Sequence, residues 1–377
     1  MKILHLSDAH LGRAQYGLAE RAEDYFNAFE EALRLGKSAD VVLATGDLFD
    51  SRQVPVRRLM RFIDVVEAAG VRLYVIGGNH DFSYLAYRSD RYHTVLSLLD
   101  RLGLVQLLCW KEAEVGGVYI YGACATPREH VAEYRAYLQR MPPGSILAIH
   151  QAIEGVRARY PTESDDFTMP QKVFQGLPYV HIAAGHVHDH YVSHPVGAVW
   201  AGSLELWDAG EFETWDFDGR WERGQEAAGK GVVLIDVAGR GVVHKSLLLS
   251  RRRPMYRVRL HVGGREIHPA VEEAARRFDR SGAVVRLEIY GSAEGVRLGE
   301  LAAYFPKALH VEVVDKTSAP RRAVELRGPA MGEVMRFLKE RLGEHGEVVL
   351  KAMEYLRDGD REAAERLLAG VLYDKEG

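Results

Sequence analysis

Five short aliphatic runs punctuate the first half of the chain, and each closes on polar residues. They are KILHLSDAH from Lys2, DVVLATGDLFD from Asp40, VRLYVIGGNHD from Val71, SILAIHQ from Ser145 and VHIAAGHVH from Val180. Apolar runs of this length, bounded by glycine or polar clusters, read as buried strands. Helical periodicity fills intervals between them, as in RAEDYFNAFEEALRLG from Arg21 and PVRRLMRFIDVVEAAG from Pro55. Strands alternating with helices predict an α/β fold built in layers. Further on, MYRVRLHV, HPAVEEAARRF, AVVRLEIYG, LGELAAYF and ALHVEVVDKT alternate strand and helix again over residues 255–317, a small α+β module. The tail is helix-prone, with Ala364, Leu368 and Leu372 on one face beside Leu367 and Val371.

A length of 377 residues exceeds one ordinary core and favours two or three domains. No run of 18 apolar residues occurs, and MKILHLSD enters a strand pattern at once, so neither a membrane span nor a secretory signal is expected. Two cysteines, Cys109 and Cys124, make neither a disulfide framework nor a zinc quartet, and a reducing cytoplasm fits. The net charge of −4 announces no polyanion partner, but its distribution is uneven. Residues 251–322 hold 15 Lys and Arg against 9 Asp and Glu, a surplus of +6 that leaves −10 on the remainder. Such residues usually form a solvated face, yet a basic segment in an acidic chain also points to a polyanion.

Ligands of layered α/β sheets collect beyond the carboxyl ends of the strands. The five runs deliver Asp8, His10, Asp47, Asn79, His80, His150, His186 and His188 to that edge. Carboxylate, imidazole and amide oxygen together suit Mn²⁺, Fe²⁺ or Zn²⁺, and the lack of thiolate argues against a structural zinc site. Such a set is too large for one ion and about right for two that share a bridge; paired ions roughly 3.5–4 Å apart can hold a phosphodiester. The chain has only two asparagines, and Asn79 follows Gly77 and Gly78, which already supply a turn's freedom. Its amide is wanted for a neutral oxygen beside a phosphate. A lone D-x-H or G-D usually caps a helix, and GHVHDH alone could be a solvated turn. Five motifs in order, each ending a strand, are hard to obtain by chance.

These blocks, D-x-H, GD, GNHD, H and GHxH, resemble the calcineurin-like metallophosphoesterases. GDLFDS, GLPYVHIAAGHVH and above all GSLELWDAGEFE, residues 202–213, resemble one branch, the Mre-eleven/SbcD nucleases of double-strand-break repair. The similarity runs to about residue 318, and RRRPMYRVRLHV resembles the start of the family's second domain. The resemblance implies a two-layered β-sheet sandwich flanked by helices over 1–250, an α+β DNA-capping domain over 251–322 and a helical tail over 323–377. It implies two manganese ions, the first on Asp8, His10, Asp47 and His188, the second on Asn79, His150 and His186, with Asp47 bridging. His80 would face the scissile phosphate as a catalytic group, and Asp81 would orient its ring.

By the same resemblance the activity expected is 3′–5′ exonuclease action on duplex ends with endonuclease action on single strands. Asp50 stands where many relatives have histidine, which puts the balance of the two in doubt. The tail would dock a Rad-fifty/SbcC-type ATPase, the alternative being a hairpin folded on its own cap. Helices carrying Leu59, Phe62, Ile63, Leu96 and Leu99 would make a homodimer, unless those residues are core. DNA backbone would be met by the basic segment, Arg251, Arg252 and Arg253 included, unless these pack at a domain joint. The chain would be cytoplasmic and nucleoid-associated. A phosphoesterase for nucleotides or phosphoproteins, or a non-catalytic DNA tether, are the rival readings.

Overall fold

Alternation along the first strand, Lys2–Leu6, sets up the layers. Leu4 and Leu6 point into a cluster with Phe26 and Phe29 of helix α1 (Ala19–Leu35) and Phe62 of helix α2 (Val56–Ala69). Ile3 points the other way, against Ile120, Ile146, Ala148 and Ala183 of a second sheet. Both faces of the strand are thus apolar, as a strand buried between layers requires. Outside the second sheet a third cluster gathers Tyr134, Leu138, Phe174 and Trp200. The chain is a computed structural model, in which residues 1–81, 94–159, 165–239, 241–250, 252–262, 267–291 and 297–317 are described, together with Val348 and Lys351.

The first sheet has six strands, ordered Gly241–Leu248, Gly231–Ala238, Lys2–Leu6, Val41–Thr45, Leu73–Ile76 and Gln106–Leu107. The second, also of six, runs Val192–His194, Ala198–Trp200, Tyr179–Gly185, Ser145–His150, Val118–Ala123 and Lys111–Val115. The ligand-bearing strands are parallel within each sheet: Lys2–Leu6 with Val41–Thr45 and that with Leu73–Ile76, and Ser145–His150 with Tyr179–Gly185. The expected α/β sandwich flanked by helices is therefore the fold of the chain, and the carboxyl ends of all five strands meet at one edge.

A third sheet, of five strands, holds Met255–His261, Val284–Gly291 and His310–Thr317 in parallel, with helix Ile267–Phe278 packed on it through Val271, Ala274 and Phe278. Its other two strands come from earlier in the chain: Glu213–Phe217 pairs with Met255–His261, and Trp221–Gln225 pairs with Glu213–Phe217. All three sheets fall in one compact unit, Met1–Thr317, while Ser318–Gly377 forms a second. The amphipathic tail read over residues 364–372 lies outside the described residues. No helix among the described residues is long and apolar enough to cross a membrane.

Three expectations change. Phe62, Leu96 and Leu99 are core, and Leu59 and Ile63 pack partly against it, so none is a free dimer face. The large apolar side chains left exposed on the same helices are Val56, Met60, Leu98 and Leu102. Arg252 donates to the Ala228 carbonyl oxygen, and Arg253 forks onto both Asp24 oxygens at 2.6 and 3.0 Å and donates to the Gly282 carbonyl at 2.8 Å. Arg253 thus ties the small sheet to α1, and Arg252 is engaged at the Ala228 carbonyl. Cys109 and Cys124 are joined as a disulfide, with Cα atoms 5.3 Å apart.

Candidate metal centre

Each of the five strands ends at or just before its ligands, and the following turn brings them over the edge. Asp8 (φ 48°), His10 (φ 40°), Asp47 (φ 48°) and His186 (φ 84°) all have left-handed backbone. That region costs a residue with a side chain roughly 1–2 kcal/mol, and it persists only where neighbours impose it. Here they do. Asp8 N–H donates to the Gly46 carbonyl at 3.1 Å and His10 N–H to the Asp47 carbonyl at 3.0 Å. His186 N–H reaches the Asp8 carboxylate at 3.2 Å, and His80 N–H donates to Asp47 Oδ1 at 2.8 Å.

Small residues make the approach possible. A Cβ on Gly78 would lie 2.4 Å from the Asp47 backbone nitrogen, and one on Gly185 would lie 2.1 Å from the Thr45 carbonyl oxygen. Only glycine lets these turns close together.

The ligand atoms then converge. His10 Nε2 faces His188 Nε2 at 3.3 Å, and His188 Nε2 lies 3.7 Å from Asp8 Oδ1. His150 Nε2 is 3.2 Å from Asp47 Oδ2 and 3.1 Å from Asn79 Oδ1, which lies 3.2 Å from His186 Nδ1. Asp8, His10 and His188 form one group able to hold a cation, and Asp8, Asp47 and His150 another. His150 Nδ1 meets the Thr45 carbonyl at 2.7 Å. A carbonyl only accepts, so Nδ1 carries a proton and Nε2 is the nitrogen turned toward the centre, where a cation would displace its proton. All eight residues read from the strand ends are brought together.

The charges say the same. Burial raises the Asp8 carboxyl to about 6 against the opposing pull of His150. Burial also holds the His10 and His188 rings well below their usual range, so they stay neutral lone-pair donors. At His150 burial works downward, but the Asp47 and Asp8 carboxylates prevail and lift it to about 9. Two dry carboxylates among imidazole lone pairs, with an amide oxygen at the same point, fit divalent cations of the borderline kind.

The surroundings differ in part from expectation. The Asp81 carboxylate accepts the backbone N–H groups of Gly78 at 2.8 Å and of Leu48 and Phe49 at 3.3 Å. It fastens the Asn79 turn to the Asp47 turn. The His80 ring is held by the Asp50 carbonyl oxygen, 3.0 Å from Nδ1, so the orienting part expected of Asp81 falls to a backbone carbonyl. Asp50 offers its carboxylate to Arg13 at 3.3 Å.

Other neighbours had no assigned role. The Trp207 ring lies 4.0 Å from His10 and 4.6 Å from His188, with the Arg13 guanidinium 3.3 Å above it. Lys230, fully buried, donates to the His188 carbonyl at 3.0 Å, Ser203 Oγ at 2.7 Å and Glu211 Oε1 at 2.8 Å. Glu211 Oε2 accepts from Trp207 N–H at 2.6 Å. Lys230 and Glu211 thus bind the GSLELWDAGEFE segment to the His188 turn. The segment was legible as a motif; a lysine in the core was not.

Residues 1–190 match the family model described as calcineurin-like phosphoesterase. Among curated proteins, the chain is 28% identical to the DNA double-strand break repair protein Mre11 of Sulfurisphaera tokodaii, over 63% of this chain and 60% of that one. It is 25% identical to the Mre11 of Methanosarcina acetivorans over 78% of this chain and 47% of that one. For the Mre11 of Thermoplasma acidophilum the identity is 27%, over 76% of each. The chain thus spans about half of one of these relatives and three quarters of another. With the family model over half its length and Mre11 proteins along most of it, the chain belongs to the calcineurin-like phosphoesterase family, in its Mre11/SbcD branch.

Proposed function

We propose that the chain is a DNA nuclease of double-strand-break repair, hydrolysing phosphodiesters with two manganese ions. The observation that carries this is the meeting of Asp8, His10, Asp47, Asn79, His150, His186 and His188 at one sheet edge, with His80 beside them. Asp8, His10, Asp47 and His188 would hold one ion, and Asn79, His150 and His186 the other, with Asp47 between. Bound there, the ions supply Lewis acidity and charge for attack of water on phosphorus. The Asp50 carbonyl fixes the His80 proton on Nδ1. Nε2 would then pass a second proton to the leaving sugar oxygen. Trp207 and the Lys230 network hold His10 and His188 in place.

Action on duplex ends as a 3′–5′ exonuclease and on single strands as an endonuclease follows from the branch. So does docking of a Rad-fifty/SbcC-type ATPase on residues 323–377, with 251–322 as the cap over DNA and 1–250 as the nuclease domain. A homodimer would use Val56, Met60, Leu98 and Leu102, which are exposed. Removal of residues from Gly328 onward should spare hydrolysis and abolish co-purification with the ATPase.

The test of activity is a labelled duplex and a single-stranded DNA circle, each incubated with Mn²⁺ or Mg²⁺. Degradation of both with Mn²⁺ supports the nuclease. Action confined to small phosphodiesters favours a nucleotide phosphoesterase, and no hydrolysis with retained DNA binding favours a tether.

A further inference from the structure

Gly77, the first residue of the turn that presents Asn79 and His80, is held from behind by sulfur. Its N–H points at Cys124 Sγ, 3.0 Å away, and at Cys109 Sγ, 3.4 Å away. Its carbonyl accepts from Ala125 N–H at 2.9 Å, the residue after Cys124. Cys109 sits where the chain leaves the first sheet for the second: Leu108 N–H still donates to Val75 in the first, at 2.8 Å, and Trp110 N–H already donates to Gly122 in the second, at 3.1 Å. Cys124 follows the strand Val118–Ala123 directly. The pair therefore staples the two sheets together under the candidate metal centre. Cys124 is fully buried, whereas Cys109 is partly exposed.

We propose that Cys109 and Cys124 are a reversible redox site whose bonded form tightens divalent-metal binding at the Asn79 turn; this rests on the metal-centre reading above. Two thiols must stand a non-bonded contact apart where a bonded pair does not, and the packed core behind them leaves Cys124 little room. Breaking the bond therefore disturbs the two sulfur acceptors of Gly77. Gly78, Asn79 and His80 follow immediately. The accessible sulfur is Cys109, so a dithiol reductant enters there. Its thiolate attacks Cys109 Sγ, the S–S bond breaks, and Cys124 leaves as the thiolate facing the Gly77 N–H. The reductant's second thiolate then displaces Cys109 from the mixed disulfide, so the reductant is oxidised to its own disulfide and the protein gains two thiols. Oxidation by a disulfide of the same class reverses the sequence.

The test uses the full chain, oxidised or reduced with dithiothreitol and freed of reagent by gel filtration. Iodoacetamide under denaturing conditions, read by mass spectrometry, should add nothing to the oxidised chain and two groups to the reduced one. Mn²⁺ titration should show affinity about 10-fold weaker on reduction, as for loss of an outer partner of a ligand. The melting temperature should fall by on the order of 5 °C, as expected for a short closed loop. Cys124→Ala should behave as the reduced chain and ignore the oxidant; Cys109→Ser, with the core sulfur kept, should do the same. Two alkylated thiols after oxidation overturn the site. A bond that forms without changing Mn²⁺ affinity overturns its coupling to the centre. Absence of Mn²⁺ binding in either state overturns the metal-centre reading itself, and the coupling with it.

Discussion

Replacing Gly78 by alanine perturbs the centre while leaving every ligand residue in the sequence unchanged. The added Cβ would stand 2.4 Å from the Asp47 backbone nitrogen and 2.0 Å from Asp47 Oδ1. Non-bonded carbon contacts settle near 3.5–4.0 Å, so the Asn79 and Asp47 turns must part by on the order of 1 Å. Neither yields easily, because Asp81 grips Gly78, Leu48 and Phe49 together and His10 N–H holds the Asp47 carbonyl. Overpacking of this kind costs about 1–3 kcal/mol of stability. A displacement of about 1 Å near the chemistry costs on the order of 100-fold in rate, and disturbed ligand support typically costs 10–100-fold in metal affinity. Denaturant titration and Mn²⁺ calorimetry on Gly78→Ala read both quantities. Gly70→Ala is the control: that residue ends α2 with φ 61° and has nothing within 4 Å of its would-be Cβ. It should lose about 1–2 kcal/mol of stability and no metal affinity. A Gly78→Ala chain that binds Mn²⁺ and cleaves within twofold of the parent refutes the close-packed account of the centre.

His80→Ser should retain both ions and lose cleavage, since its ring is held by the Asp50 carbonyl and its proposed part is proton transfer, not ion binding; ion counting by plasma emission beside a nuclease assay checks this. Arg253→Ser should cost about 1.5–3 kcal/mol, the worth of charge-assisted hydrogen bonds, with the salt slope of duplex binding unchanged because Asp24 and Gly282 already occupy the guanidinium. The metal-free chain should weaken in acid. Burial, with charge on His181 and His190, lowers His5 to about 3, and burial with His244 lowers His181 to about 4. The unfolded chain therefore takes these protons first, from about pH 6.5 downward. Stability drops toward each folded value at up to about 1.4 kcal/mol per pH unit per histidine; melting curves of His5→Gln should show a shallower decline.

Much of the centre was legible because ligand chemistry sits at strand ends, where apolar runs stop abruptly at His, Asp or Asn. The layered fold was legible for the same reason, since Leu4, Leu6 and Ile3 are all apolar and a strand buried on both faces needs no alternation. What escaped depends on distant pairing. Nothing in the sequence pairs Lys230 with Glu211; only the buried contacts to His188 and Trp207 show their part. Arg253 looked like a phosphate contact, and only the approach of Asp24, far off in sequence, shows it spent on a joint. Helix periodicity ranks Leu59, Phe62 and Ile63 as apolar without saying which neighbour covers them. The strands Glu213–Phe217 and Trp221–Gln225 precede the small α+β module in sequence yet extend its sheet. Cys109 and Cys124 are brought together by the return of one sheet edge on itself, which spacing alone does not disclose.

Under the proposed function, seven ligands from five strand ends hold two ions. Anomalous scattering from crystals soaked in Mn²⁺ tests it most directly. Two peaks are expected roughly 3.5–4 Å apart, one among Asp8, His10, Asp47 and His188, the other among Asp47, Asn79, His150 and His186, with His80 beyond ligand distance. A single peak, or ions bound away from Asp47, would contradict it.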